Sequence, residues 1–215
     1  MTLNFADIYS NSWNIFKKNW WEFIVVSIIM FVLVLVPLGL GGIFQFFVTL
    51  LIINAILKSV KDEKISFSTF FKVQELLTPK IITIVVAIGL YTLIVQNITN
   101  VVIVSFLTLL GFVLTIIFFP LMCVMVDKNF DVKETILYSA KLTKGVRFEI
   151  VLLMIINFII GILGIALFFI GILVATPIIT IAAVFVYLAL DTKLTDAAKT
   201  NVIADAQITD VKTEN

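Results

Sequence analysis

Residues 147–193 read RFEIVLLMIINFIIGILGIALFFIGILVATPIITIAAVFVYLALDTK. Arg147 and Lys193 close the stretch, no basic residue lies between them, and its only acids, Glu149 and Asp191, lie near its ends. Roughly 40 apolar residues are twice the ~20 that one helix needs to cross a bilayer. The simplest object with that length is a pair of helices that goes across and returns, with its turn near Gly171.

Working outward, the rest of the chain repeats this plan. All 15 Lys and Arg fall in four patches: Lys17 and Lys18; Lys58, Lys61, Lys64, Lys72 and Lys80; Lys128, Lys133, Lys141, Lys144 and Arg147; and Lys193, Lys199 and Lys212. Apolar blocks of similar length separate the patches. The far-side connections carry no charge: residues 37–42 (PLGLGG), residues 97–100 (NITN) and the turn near Gly171. Basic residues in short loops mark the cytoplasmic side. The expected fold is an all-α polytopic membrane helix bundle. It has six transmembrane helices, as three hairpins, with interfacial helices on the cytoplasmic side and both termini cytoplasmic. The spans are expected at about 22–36, 43–60, 81–96, 101–126, 149–170 and 172–190, the fourth and sixth kinked by Pro120 and Pro177.

Composition agrees. The chain is 61% hydrophobic with a mean hydropathy of +1.18, well above a soluble domain. A net charge of +1 offers no field for nucleic acid, and the basic clusters suit topology and anionic headgroups. With no His, the usual acid–base group near neutral pH is missing. The one cysteine, Cys123, reads as a small buried hydrophobe. No cleavable signal is expected, since Asp7 comes early and Lys17 and Lys18 come late.

Residues 4–19 read as a helix on the membrane surface, capped by Asn4 with Asp7 in its first turn. Phe5, Tyr9, Trp13, Phe16 and Trp20 recur every three or four residues and share one face. Lys17, Lys18, Trp20 and Trp21 mark the interface. The group is an expected interfacial anchor; a helix that binds a partner is the other reading. Residues 131–144 repeat the design, with Asp131 and Glu134 as an approximate capping box and Gly145 placed to end the helix.

The chain divides into one membrane domain, 1–190, and a polar cytoplasmic tail, 191–215, expected to be disordered. The segment from Ser12 to Val25 lines up with that from Ser139 to Leu152, and Asn4 and Asp7 line up with Asp131 and Glu134. This suggests three parallel units, 1–60, 61–128 and 129–190, the middle one keeping the plan but not the residues.

Ionisable groups within a membrane are costly and usually functional. The deepest here are Glu22 and Glu149, at matching positions where the first and fifth spans begin. Each either complements its own helix N-terminus and pairs with Lys18 or Arg147, or lines the cytoplasmic mouth of a cavity. Gln45, Asn54, Gln96 and Asn157 are the amides in or near the spans, read as helix cross-links or as the lining of a solute path. Gly161 and Gly164 form a small-residue surface for close helix packing. No nucleophile–base pair, metal-ligand cluster or nucleotide loop is seen, so no catalytic residue, metal or cofactor is expected.

The layout of residues 5–190 resembles a group of prokaryotic six-span membrane proteins of uncharacterised function. It is similar to the membrane domain attached to some glycerophosphodiester phosphodiesterases. The residues that carry this are 16–20 (FKKNW), Phe119-Pro120 followed by Asp127, and 139–145 (SAKLTKG), with Gly161, Gly164, Gly171 and Pro177. The resemblance implies a multi-pass protein of a prokaryotic inner membrane and supplies no activity; the phosphodiesterase domain has no counterpart here. The expected function is non-enzymatic. It is a membrane scaffold or accessory protein that binds membrane lipids, or a protein partner on the cytoplasmic side, through its interfacial helices. A transporter or channel for a small uncharged or lipid-like solute is the alternative.

Overall fold

Asn4 starts the first helix. It has extended backbone, and its side chain accepts a hydrogen bond from the Asp7 N–H at 3.4 Å. Helix α1 runs Phe5–Lys18, with Asp7 in its first turn and Lys17 and Lys18 in its last. These charges complement the helix dipole. Asn19 ends it, and Trp20 begins α2 (Trp20–Val34), followed by α3 (Leu40–Val60), α4 (Val101–Ile117), α5 (Leu121–Asp127), α6 (Val132–Leu142), α7 (Arg147–Ala166) and α8 (Ile170–Thr213). The computed structural model describes residues 3–34, 40–60, 78–84, 86–87, 90, 101–167 and 170–213, without the side chains of 30, 33, 34, 40–47, 59, 170 and 197–213. No strand occurs among the described residues. The middle interfacial segment expected before Pro79 lies outside them up to residue 77. Helix resumes at 79–84, where Thr78 caps the Ile81 N–H and Pro79 takes the first helical position, which needs no N–H.

Pro120 breaks the fourth apolar block as expected. α4 and α5 meet at 46°. The Leu121 N–H turns to Phe118 O at 2.9 Å, which frees the Ile117 carbonyl. The Thr143 hydroxyl fills that vacancy at 2.8 Å, sharing its proton with Ala140 O at 3.1 Å. A proline that removes helix bonding thus creates the acceptor that fixes the end of α6. Pro177 lies inside α8 without ending it.

Asp131 caps α6 through the Glu134 N–H at 2.6 Å, and Gly145 closes the following turn at φ +89°. Asp131→Ala is expected to cost about 1 kcal/mol. Asn4→Ala is expected to cost less, because its bond is long. Thermal unfolding of both variants in one detergent, followed by circular dichroism, checks the order.

α8 is the hub. It packs on α7 and α1, then on α2, α3 and α6. Ile181, Ala182, Val184, Val186 and Tyr187 are fully buried there. α4 is the opposite case. It is apolar all round, has no buried residue and touches α7. Val102 is 78% exposed and Phe106 66%. Leu, Ile and Phe side chains exposed along whole helices, as on α4 and α7, mark a surface that water does not cover. Among the described residues, two helical segments, 147–166 and 171–196, are long and apolar enough to cross a membrane, or three if bent α4–α5 is one span. Residues 20–29 and 48–58 form shorter apolar helices. Past Asp191 the backbone of α8 stays helical to Thr213, through a segment expected from composition to lack structure. That segment holds four alanines and neither Gly nor Pro, a composition that favours helix.

The alignment of the first and last units extends to burial. Ile8, Ser12, Phe16, Phe23 and Val26 are buried, and so are Thr135, Ser139, Thr143, Ile150 and Leu153 in the same register. Both buried serines bond back to the preceding turn, Ser12 to Ile8 O at 2.7 Å and Ser139 to Thr135 O at 2.9 Å. The neighbours differ, since α1 rests on α8 and α6 on α5.

Candidate functional site

The largest polar constellation among the described residues joins α5, α6 and α8. Tyr187, fully buried on α8, donates to Asp127 Oδ2 at 2.7 Å. One turn on, Asp191 accepts from the Tyr138 hydroxyl at 2.6 Å and from Lys128 Nζ at 2.8 Å. Lys128 Nζ also lies 3.4 Å from Asp127 Oδ2. One ammonium therefore joins two carboxylates, and each carboxylate takes a phenol. Lys80 adds a donor, its Nζ bonding Lys128 O at 2.8 Å. Phe130 covers Tyr138 edge to face at 5.2 Å.

The electrostatics follow from partial burial. Burial by itself would lower Lys128, but its bond to Asp191 and the charges of Asp191 and Asp127 outweigh that and hold it above its ordinary value. Burial, then the bond to Asp191, pushes Tyr138 up to about 12. Among the described residues no carboxylate pairs with Lys80, and burial lowers it. The cluster keeps its protons at neutral pH and uses its donors on its own acceptors. Its chemistry is that of a clamp between helices.

The sequence did not single out these residues as a site, though a signal existed. Tyr187 is the only Tyr in its apolar block, four positions before Asp191, so the two share a face.

The expected anchor divides in two. Phe5 and Tyr9 are half-buried against the core, and the Tyr9 hydroxyl donates to Asn157 Oδ1 at 2.5 Å. Burial raises Tyr9 to about 12. Asn157 lies ten residues into α7, on the order of 15 Å along it, so α1 docks on the bundle well past the start of that helix. Trp13 stacks on Phe16 at 5.6 Å but is 45% exposed. Lys17, Lys18, Trp20 and Trp21 are exposed, the two indoles edge to face at 5.8 Å.

Glu22 and Glu149 occupy the first turns of α2 and α7. The expected pairing with Lys18 or Arg147 is not formed; among the described residues neither carboxylate makes an ion pair. Glu149 Oε2 is buried and without a hydrogen-bond partner there, as is Asn54 Nδ2. The side chains of Gln45 and Gln96 lie outside the described residues. Apolar grooves flank the α7–α8 contact, one beside Phe158 and Ile172 and one beside Leu163 and Val174; neither is lined by Asn54 or Asn157. Among the described residues no three His, Cys, Asp or Glu side chains gather to hold a metal.

Among the described residues these features define an all-helical architecture with two or three helices able to span a membrane and a polar clamp where the apolar blocks end. Comparison with protein-family models, curated proteins and solved structures finds no match in any of the three.

Proposed function

We propose that this protein is a non-enzymatic scaffold or accessory protein of a prokaryotic plasma membrane. It crosses six times, as three hairpins, with both termini and the interfacial helices in the cytoplasm. The likeness to prokaryotic six-span proteins and the descent of the outer units from one copy belong to the same proposal; the shared register of caps and buried positions supports the latter.

One observation carries the functional reading. α1 and α6 each bury one stripe on the bundle and leave a mixed face free: Ser10, Asn11 and Asn14 beside Trp13 on α1, Lys133, Glu134 and Lys141 beside Leu137 on α6. A helix fixed in this way presents side chains at a defined place, as a docking platform requires. The alternative, a path for a small uncharged or lipid-like solute, draws on the unpartnered Asn54 amide.

The test has two parts, both in a chain with Cys123 replaced by Ala. Single cysteines at Gly41, Asn97 and Leu167, the last in the turn before Gly171 and exposed, are expected to react with an impermeant thiol reagent from outside the cell. Cysteines at Lys64, Lys141 and Lys199 are not; outside labelling at Lys141 breaks the six-span arrangement. Glu replacing Asn11, Asn14 and Lys141 together is expected to strip co-purifying partner or lipid while leaving the thermal midpoint unchanged. Full retention of both rejects the platform.

A further inference from the structure

Two kinds of cation stand out among the described residues. Lys128 and Lys80 spend their donors on protein acceptors. Lys17, Lys18, Lys141, Lys144 and Arg147 do not: all five are exposed, and none is hydrogen-bonded or ion-paired among the described residues. They occupy two corners, each where an amphipathic helix hands over to an apolar one. In the first, Lys17 and Lys18 end α1 and Trp20 and Trp21 open α2. In the second, Lys141 lies in the last turn of α6, Lys144 in the turn, and Arg147 and Phe148 open α7. The corners align position by position, Lys17 with Lys144, Trp20 with Arg147 and Trp21 with Phe148. One carboxylate accompanies each, Glu22 and Glu149, and the bases outnumber it.

The exposed rings identify the partner. Trp20 is 53% exposed, Trp21 57% and Phe148 79%. A polyanion in water would leave these rings wet. At a bilayer surface the ring enters the headgroup layer while the neighbouring base meets a phosphate. The net charge of +1 likewise gives no long-range attraction for a nucleic acid.

We propose that the two corners are a matched pair of sites, each for the phosphodiester headgroup of one anionic phospholipid. The proposal rests on the membrane reading above and adds ligand class and number. The docking of α1 and α6 holds each base group at a fixed place beside its ring, so the two corners bind separately.

The experiment uses the full chain in neutral detergent, with phosphatidylglycerol or phosphatidylcholine added and bound lipid counted by native mass spectrometry. Two phosphatidylglycerol molecules are expected to be retained in preference to phosphatidylcholine. Lys17→Gln with Lys18→Gln removes one. Lys141→Gln with Lys144→Gln and Arg147→Gln removes the other, each lost base weakening binding about fivefold. Lipid-free thermal midpoints shift only slightly, by the charge lost at the helix ends, because these side chains are exposed. Equal retention of phosphatidylcholine overturns the proposal. So does undiminished binding in both variants, loss of both lipids in one variant, or displacement by inorganic phosphate at equal concentration. Failure of the membrane reading is read separately, as a chain that does not float with vesicles of either lipid.

Discussion

Gly171→Leu is expected to separate α7 from α8 and to give the largest loss of stability of any single change in the described residues. A Cβ at Gly171 would lie 2.5 Å from Gly164 O, 2.7 Å from Gly164 Cα and 3.0 Å from its carbonyl carbon. All three are backbone atoms of the facing helix, so no rotamer change relieves the clash. Gly164 faces the same contact, with Gly171 C and O at 3.1 Å and Ala175 Cβ at 3.2 Å. Close backbone approach of this kind is a main source of helix association in membranes. Gly171→Ala is expected to cost about 1–3 kcal/mol, as overpacking does, and Leu more. Gly161 is the control. A Cβ there meets nothing within 4 Å, so Gly161→Ala should be neutral or gain up to about 1 kcal/mol from helix propensity. Unfolding of the three variants in mixed micelles measures the order. A Gly171→Leu protein as stable as wild type would show that the hairpin is not held there.

The second large effect is expected at Lys128. Lys128→Met leaves Asp127 and Asp191 facing each other without their shared base, with side chains only 11% and 15% exposed. Breaking a fully buried pair costs about 3–5 kcal/mol. Lys128 is 28% exposed, which admits water and brings the expected loss to about 2 kcal/mol. Adding Asp191→Asn should restore part of it, since the stranded charge is removed; a double variant worse than the single would refute charge isolation as the cause. Tyr187→Phe tests the buried end of the clamp by removing the donor to Asp127. The pH dependence follows from the raised values of Lys128 and Tyr138. Each contributes stability that is complete below its unfolded value, about 10.4 for Lys and 10 for Tyr. That stability drains away as pH climbs through the higher folded value. Wild type should therefore lose this contribution only above about pH 10, and Lys128→Met should show a smaller alkaline loss.

Local features were legible in the sequence because their partners lie a few residues apart. Asn4 and Asp131 cap helices through N–H groups three positions on, Pro120 breaks the fourth block, and Gly145 takes positive φ. The site was not legible to the same degree. Gly161 and Gly164 were read together as a surface for close helix packing; that contact falls on Gly164, against Gly171 of the next helix, while a Cβ at Gly161 meets nothing within 4 Å. Tyr9 was read as part of the interfacial anchor, and nothing in its sequence showed that its hydroxyl would be held by Asn157. Both partners were hidden for the same reason: an apolar or small residue looks alike whether lipid or another helix covers it.

What the sequence determined by itself was helical structure, an apolar character that water cannot cover, and the places where helices start, break and turn. These depend on hydropathy and backbone chemistry summed over neighbouring residues. What only the tertiary structure decided was which helix lies at the centre, α8, and which stays exposed, α4. It also decided the pairing of Tyr187 with Asp127 and of Tyr138 with Asp191, and the docking of α1 against α8 with Tyr9 bonded to Asn157 of α7. In a soluble helix the polar face says which side is inside. α4 and the first part of α8 are apolar on every side, so no period distinguishes interior from lipid, and only packing of particular shapes does.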